Sequence, residues 1–108
     1  MAIRKKTDNQ TDLDLLRLIK KHPETSQREL AEKLGYSLGK LNYCVDALKR
    51  KGLIKINNFK KNKNKLNYIY VLTPKGITEK SILTVNFMKR KMEEYDALKK
   101  ELEESQKN

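Results

Sequence analysis

Apolar residues in this chain recur at two different periods, and the change of period marks out its elements. Residues 1–11 are polar, charged and without period, and read as a disordered basic and polar arm. Leu15, Leu16, Leu18 and Ile19 then supply the buried side of a helix from about Asp12 to Lys21. His22-Pro23 stops it, because the residue before proline is pushed out of the helical region. Ser26-Gln27-Arg28-Glu29 is a capping box: the Ser26 hydroxyl can accept from the Glu29 amide while Glu29 reaches back. Leu30, Ala31 and Leu34 form the inward stripe of the second helix, which Gly35 closes as a left-handed cap. Ser37 caps a third helix, Leu38 to Lys51, with Leu41, Cys44, Val45 and Leu48 at i, i+3, i+4 and i+7 and Gly52 beyond it.

Two helices joined by a short glycine-containing turn make a helix-turn-helix. Leu53 to Ile56 and Tyr68 to Leu72 are rich in β-branched and aromatic residues, and read as a hairpin. Between them Asn57 to Asn67 is expected to form a polar loop holding Lys60, Lys61, Lys63 and Lys65. Thr73-Pro74 then pairs an N-cap with proline at the first helical position. The last helix is expected to reach about Glu104, roughly 30 residues or about 45 Å. Ile77, Ser81, Thr84, Val85, Met88, Met92, Tyr95 and Leu102 share one of its faces, with Leu98 at the edge and Ile82, Leu83 and Phe87 on the other sides. The pattern is therefore mainly α with a small β-hairpin (α+β), a winged helix-turn-helix with a long C-terminal helix. Its divisions are the arm at 1–11, the winged domain at 12–73 and the long helix at 74–108.

Composition narrows the chemistry. One hundred and eight residues, 37% hydrophobic and 36% charged, allow one compact core. No apolar run approaches the ~20 residues of a membrane span, and the basic start lacks the apolar stretch of a signal peptide. The single cysteine, Cys44, excludes an internal disulfide and a cysteine-cluster metal site. These features point to the cytoplasm. The net charge is +11, unevenly placed: residues 1–92 carry 22 basic and 8 acidic side chains, residues 93–108 carry 3 and 6. A basic body with an acidic end suits a polyanionic partner.

With Leu41, Cys44, Val45 and Leu48 turned inward, 100° per residue leaves Gly39, Tyr43, Asp46 and Arg50 outward, flanked by Lys40, Asn42 and Ala47. In a helix-turn-helix that helix enters the major groove, its N-terminal half meeting base edges. Gly39, Lys40, Asn42 and Tyr43 are therefore the candidate base contacts: Lys40 donating to guanine, Asn42 bonding adenine bidentately, Gly39 permitting close approach. Asp46 and Arg50, at i and i+4, are expected to pair, although Arg50 also lies within reach of a DNA backbone. Ser26, Gln27 and Arg28 at one helix N-terminus and Ser37 at the next can hold phosphates, with Lys60, Lys61, Lys63 and Lys65 of the wing. Cys44 lies on the buried face and reads as a small core residue rather than a redox centre. Nothing resembles a nucleophile–base pair, a phosphate loop or metal-ligand spacing, so no enzyme, cofactor or metal is expected.

A 45 Å helix outreaches the core beneath it, and its exposed seam needs a partner. A second copy, held through Val85, Met88, Met92, Tyr95, Leu98 and Leu102, is the expected one. Parallel and antiparallel pairings both satisfy the seam.

Ser26 to Ala31, Leu48-Lys49-Arg50-Lys51-Gly52-Leu53-Ile54 and Leu72-Thr73-Pro74-Lys75-Gly76 resemble the MarR family of winged-helix regulators, over about residues 12 to 102. Ser37 to Cys44 looks more narrowly like a short subgroup associated with exopolysaccharide (EPS) gene clusters. The resemblance implies a homodimer on a palindromic operator, usually a repressor, with DNA contacts at the matching positions of the third helix and wing. It also implies, for full-length members, dimerisation through helices at both chain ends and often a small effector. This chain has no counterpart of the extra C-terminal helices, so no small-molecule effector is assigned to it. The family's wing Asp-x-Arg is replaced by lysines. The expectation is thus a dimeric, sequence-specific duplex DNA-binding regulator, set against a non-specific DNA or RNA binder and against a winged helix used to bind protein.

Overall fold

The computed structural model describes residues 2–62 and 65–107, with the side chains of 9–57 and 69–107. In chain order the elements are α1 (Ala2–Lys21), β1 (Glu24–Thr25), α2 (Gln27–Leu34), α3 (Leu38–Arg50), β2 (Ile54–Asn62), β3 (Lys65–Leu72) and α4 (Pro74–Gln106). This is a winged helix-turn-helix whose last helix runs on past the body.

The caps form where their residue types demand. The Ser26 and Ser37 hydroxyls accept from the amides of Glu29 and Lys40, both at 3.1 Å, satisfying donors a helix start leaves orphaned. Glu29 itself reaches Thr25, whose hydroxyl donates to its carboxylate at 2.8 Å. Gly35 ends α2 at φ 72°, a conformation that only glycine adopts without strain. At the last junction Thr73 is a node: its hydroxyl donates to Gly52 O at 2.6 Å and accepts from the Gly76 amide at 3.0 Å, while its own amide donates to Leu53 O. Gly76 is pressed on that same Leu53 carbonyl so closely that a Cβ would collide with it.

The core lies where the three helices meet the sheet. Leu13, Leu15, Leu16 and Ile19 of α1 pack with Leu30 of α2, and with Leu41, Cys44, Val45 and Leu48 of α3. Ile54, Tyr70 and Leu83 close it from the strands and α4. Asp12, nearly buried, takes the Lys51 ammonium at 2.9 Å and ties α1 to the C-terminal end of α3.

Three expectations are corrected. First, α1 begins at Ala2, where the pattern placed a disordered arm as far as residue 11 and a helix start near Asp12. No proline or glycine interrupts Ala2–Thr11, and extending a helix already nucleated by the buried turns costs little even where no apolar period marks it. Second, the sheet has three strands in the order β1-β3-β2, because Glu24 and Thr25 pair with Ile69 and Tyr68. Third, the wing is no long loop. β2 and β3 stay paired from Ile54↔Leu72 through Asn57↔Ile69 to Lys60↔Leu66, with an irregularity before Asn62↔Lys65. Each pair aligns the next, so the ladder extends through residues with weak strand preference.

The third helix ends as expected within a residue, and α4 runs 33 residues, about 50 Å. Gly76 and Leu83 are its buried residues, and Phe87 packs half-buried against the core. Every residue from Lys91 to Lys107 is exposed, and the molecule is accordingly 69 Å long and 25 Å across.

Candidate nucleic-acid interface

Helix α3 is divided cleanly. Leu41, Cys44, Val45 and Leu48 are at most 8% exposed, and the intervening positions apart from half-buried Ala47 face water. Ser37, Gly39, Lys40, Asn42, Asp46 and Arg50 are all exposed, and Tyr43 stands out with 70% of its surface free. The four candidate base-contacting residues thus share one face, in the N-terminal half of a helix whose other side is locked in the core. A rigid rod with a polar outward face is what direct reading of base edges needs, since the side chains must be held at fixed spacing.

The candidate backbone contacts lie at the start of α2, at the two ends of α3 and in the wing. Ser26 and Gln27 are half-buried and Arg28 exposed, at the capped start of α2. There the unpaired amides and the helix dipole favour an anion. Lys60 and Lys61 are placed on β2 and Lys65 on β3, so these wing residues belong to strands. Lys63 lies outside the described residues.

The expected Asp46–Arg50 pair does not form. Among the described residues the ion pairs are Lys51–Asp12 and Lys91–Glu94. Both side chains are exposed, and a solvated i, i+4 pair gains too little to hold two flexible side chains together. Arg50 is therefore left without an ion-pair partner among the described residues.

One residue outside the sequence-based set matters here. Lys40 lies with its ammonium 4.0 Å from the centroid of the Tyr36 ring, a cation–π contact across the turn between α2 and α3. The Tyr36 hydroxyl lies 3.5 Å from Thr11 on α1, donating to it, so the ring is braced from behind. Tyr36 and Lys40 are four residues apart, and that spacing was the signal available.

The expected seam of α4 is equally plain. Val85, Met88, Met92, Tyr95, Leu98 and Leu102 are each between 49% and 65% exposed. They leave a continuous apolar strip uncovered, while Leu83 and Phe87 serve the body. Cys44 is buried, as its place in the pattern implied. Among the described residues no helix is long and apolar enough to cross a membrane.

Residues 8–55 match a sequence family described as winged helix-turn-helix DNA-binding. Over 64 residues the chain is 34% identical to an uncharacterized HTH-type transcriptional regulator of Pyrococcus furiosus, covering 59% of this chain and 43% of that protein. Among solved structures it resembles Staphylococcus aureus MarR in complex with salicylate and kanamycin, at 23% identity and a TM-score of 0.62, covering 81% of this chain and 57% of the other. It likewise resembles Streptococcus pneumoniae FabT in complex with DNA, at 22% identity and a TM-score of 0.61, covering 81% and 59%. The chain thus spans well under two thirds of each of these proteins. Its fold is the winged helix-turn-helix of the MarR-type regulators.

Proposed function

We propose that this protein is a sequence-specific duplex DNA-binding regulator of transcription that acts as a homodimer, as a repressor on a palindromic operator. The observation that carries this reading is the division of α3: an apolar side sealed in the core and an outward side of Gly39, Lys40, Asn42 and Tyr43. The match over residues 8–55 and the fold shared with DNA-bound FabT support it. Lys40 and Asn42 read base edges, Gly39 admits the helix to the groove and Tyr43 contacts a phosphate or a thymine methyl. Ser26, Gln27, Arg28, Ser37, Arg50 and the wing lysines grip the backbone and set register. The resemblance of Ser37–Cys44 to the exopolysaccharide-associated subgroup points to promoters of such genes, read in the cytoplasm.

The seam of α4 supplies the second half-site. A dimer places two recognition helices in successive major grooves about 34 Å apart. If each protomer neutralises about four phosphates, log K falls with log salt at a slope near −7. Selection of bound duplexes from a random pool at about physiological salt is the test. The expected product is an inverted repeat with half-sites about one helical turn apart. Salt-sensitive binding with no enriched motif would make the protein a non-specific nucleic-acid binder. No binding at all would turn the same surface toward an acidic protein partner.

A further inference from the structure

We infer that the two copies of α4 pair antiparallel, crossing near residue 90. This rests on the homodimer reading and adds the orientation. The exposed strip has a strict alternation of spacings four and three: Val85, Met88, Met92, Tyr95, Lys99 and Leu102, preceded by Ser81, all exposed in the single chain. That is the spacing of a two-helix seam, in which parallel helices in register set each residue against its own copy, while antiparallel helices set it against a different one.

Two observations separate the orientations. The first is Lys99, the one charged residue on the strip. A parallel pair sets Lys99 against the partner's Lys99, like charge on like charge within the contact. An antiparallel pair centred on residue 90 sets it against the partner's Ser81, a small side chain that leaves the lysine stem room to run out to water. The same register stacks Val85 on the partner's Tyr95 and Met88 on the partner's Met92.

The second is the charge along the helix. From residue 74 to 92 the charged residues are Lys75, Glu79, Lys80, Lys89, Arg90 and Lys91; from 93 onward six acids stand against three lysines. Parallel pairing lays base on base and acid on acid. Antiparallel pairing lays each basic half beside the partner's acidic half, and opposes the two helix dipoles. It also carries the partner's Leu102 and Glu103 to Ile77. There a groove of about 350 Å³, lined by Ile19, Lys20, Pro23, Val71 and Leu72 among others, lies open beside a lysine. A space many times the ~30 Å³ share of one water accommodates side chains.

Cysteines placed on the seam decide the orientation. Val85→Cys and Tyr95→Cys are made singly and together in the full chain, with the native protein, whose single cysteine is buried, as control. Ten residues along one helix is about 15 Å, so the two cannot join within a chain, where a disulfide needs Cα atoms within about 7 Å. On mild oxidation the double variant is expected to become covalent dimer while each single variant stays unlinked. Light scattering gives the mass before oxidation. A dimeric mass with both single variants linking to themselves overturns the antiparallel orientation and leaves the homodimer standing. A monomeric mass for the native chain overturns both.

Discussion

Helices α3 and α4 each have a buried side and an uncovered side, and the uncovered sides are chemically opposite. On α3 the body takes all four apolar residues of the stripe and leaves glycine, lysine, asparagine, tyrosine and arginine in water. On α4 the body takes Gly76 and Leu83 and leaves Val85, Met88, Met92 and Tyr95 in water. Exposed polar groups are already satisfied by solvent, so the α3 face binds only what improves on water, and a polyanion with ordered hydrogen-bonding edges does. Exposed apolar area gains by burial against almost any apolar surface. Specificity on α4 must therefore come from where its charges and its small residues stand. On the proposed reading, one helix selects by what it donates, the other by what it will not place face to face.

Breaking the shared support of both helices has the largest effect. Leu48 is wholly buried beneath the α3 face. Leu48→Ala is expected to cost about 2–5 kcal/mol, lost transfer energy plus a cavity, measured by urea unfolding. Gly76→Ala acts on α4 by a different route, because the added methyl meets the Leu53 carbonyl rather than a movable side chain. It is expected to cost about 1–3 kcal/mol, as an overpacked site does. An unchanged unfolding midpoint would mean that the start of α4 is not held there.

The two helices also differ in how they announce themselves in sequence. α3 was legible because burial imposes a helical period, and because Ser37 and Gly35 suit the conformations at its start and at the end of α2. The apolar strip of α4 was legible because its residues recur at helical spacing although the body leaves them exposed, and Thr73 because it suits the cap. What escaped depends on pairing rather than on pattern. Glu24 and Thr25 form a strand only because β3 lies beside them, and Lys60 and Lys61 extend β2 because Leu66 and its neighbours come opposite. Ala2–Thr11 carry no apolar period, so nothing marked them as a continuation of α1. Asp46 and Arg50 have the spacing of a pair and lack the burial that would hold them in one. Spacing makes a contact possible; desolvation or bracing makes it persist. The braced Lys40–Tyr36 contact is the counterexample within the same helix-turn-helix.

Acting on the seam alone comes next in size. Met88→Glu is expected to weaken association by at least about 2 kcal/mol, the scale of a central interface residue, read as a shift of mass toward monomer on dilution. Its effect on the unfolding of the monomer should stay within about 0.5 kcal/mol, because Met88 is already 55% exposed. A large loss of monomer stability would mean that the seam serves the body after all. Acting on the α3 face gives the converse result. Asn42→Ala should cost about 1–3 kcal/mol of discrimination against the wrong base and leave both dimer mass and salt slope in place. If the selected motif survives Asn42→Ala unchanged, base reading lies elsewhere on the helix.

The smallest expected effect concerns how the α3 face is held ready. Lys40 would otherwise sample many rotamers, and each must be given up on binding. The Tyr36 ring, braced by Thr11, already holds its ammonium at 4.0 Å. Such a contact at an exposed site is worth about 0.5–1 kcal/mol, which corresponds to roughly two- to fivefold in affinity. Tyr36→Leu removes the ring, and is expected to weaken specific DNA binding by that factor. Tyr36→Phe keeps the ring but loses the hydroxyl that reaches Thr11, and is expected to fall between the native chain and Tyr36→Leu. Lys40→Ala separates ordering from packing: on that background Tyr36→Leu should have no further effect on affinity, because no ammonium remains to be held. If it still weakens binding by the same factor, Tyr36 acts by packing the turn, and the readiness of the α3 face owes nothing to the cation–π contact.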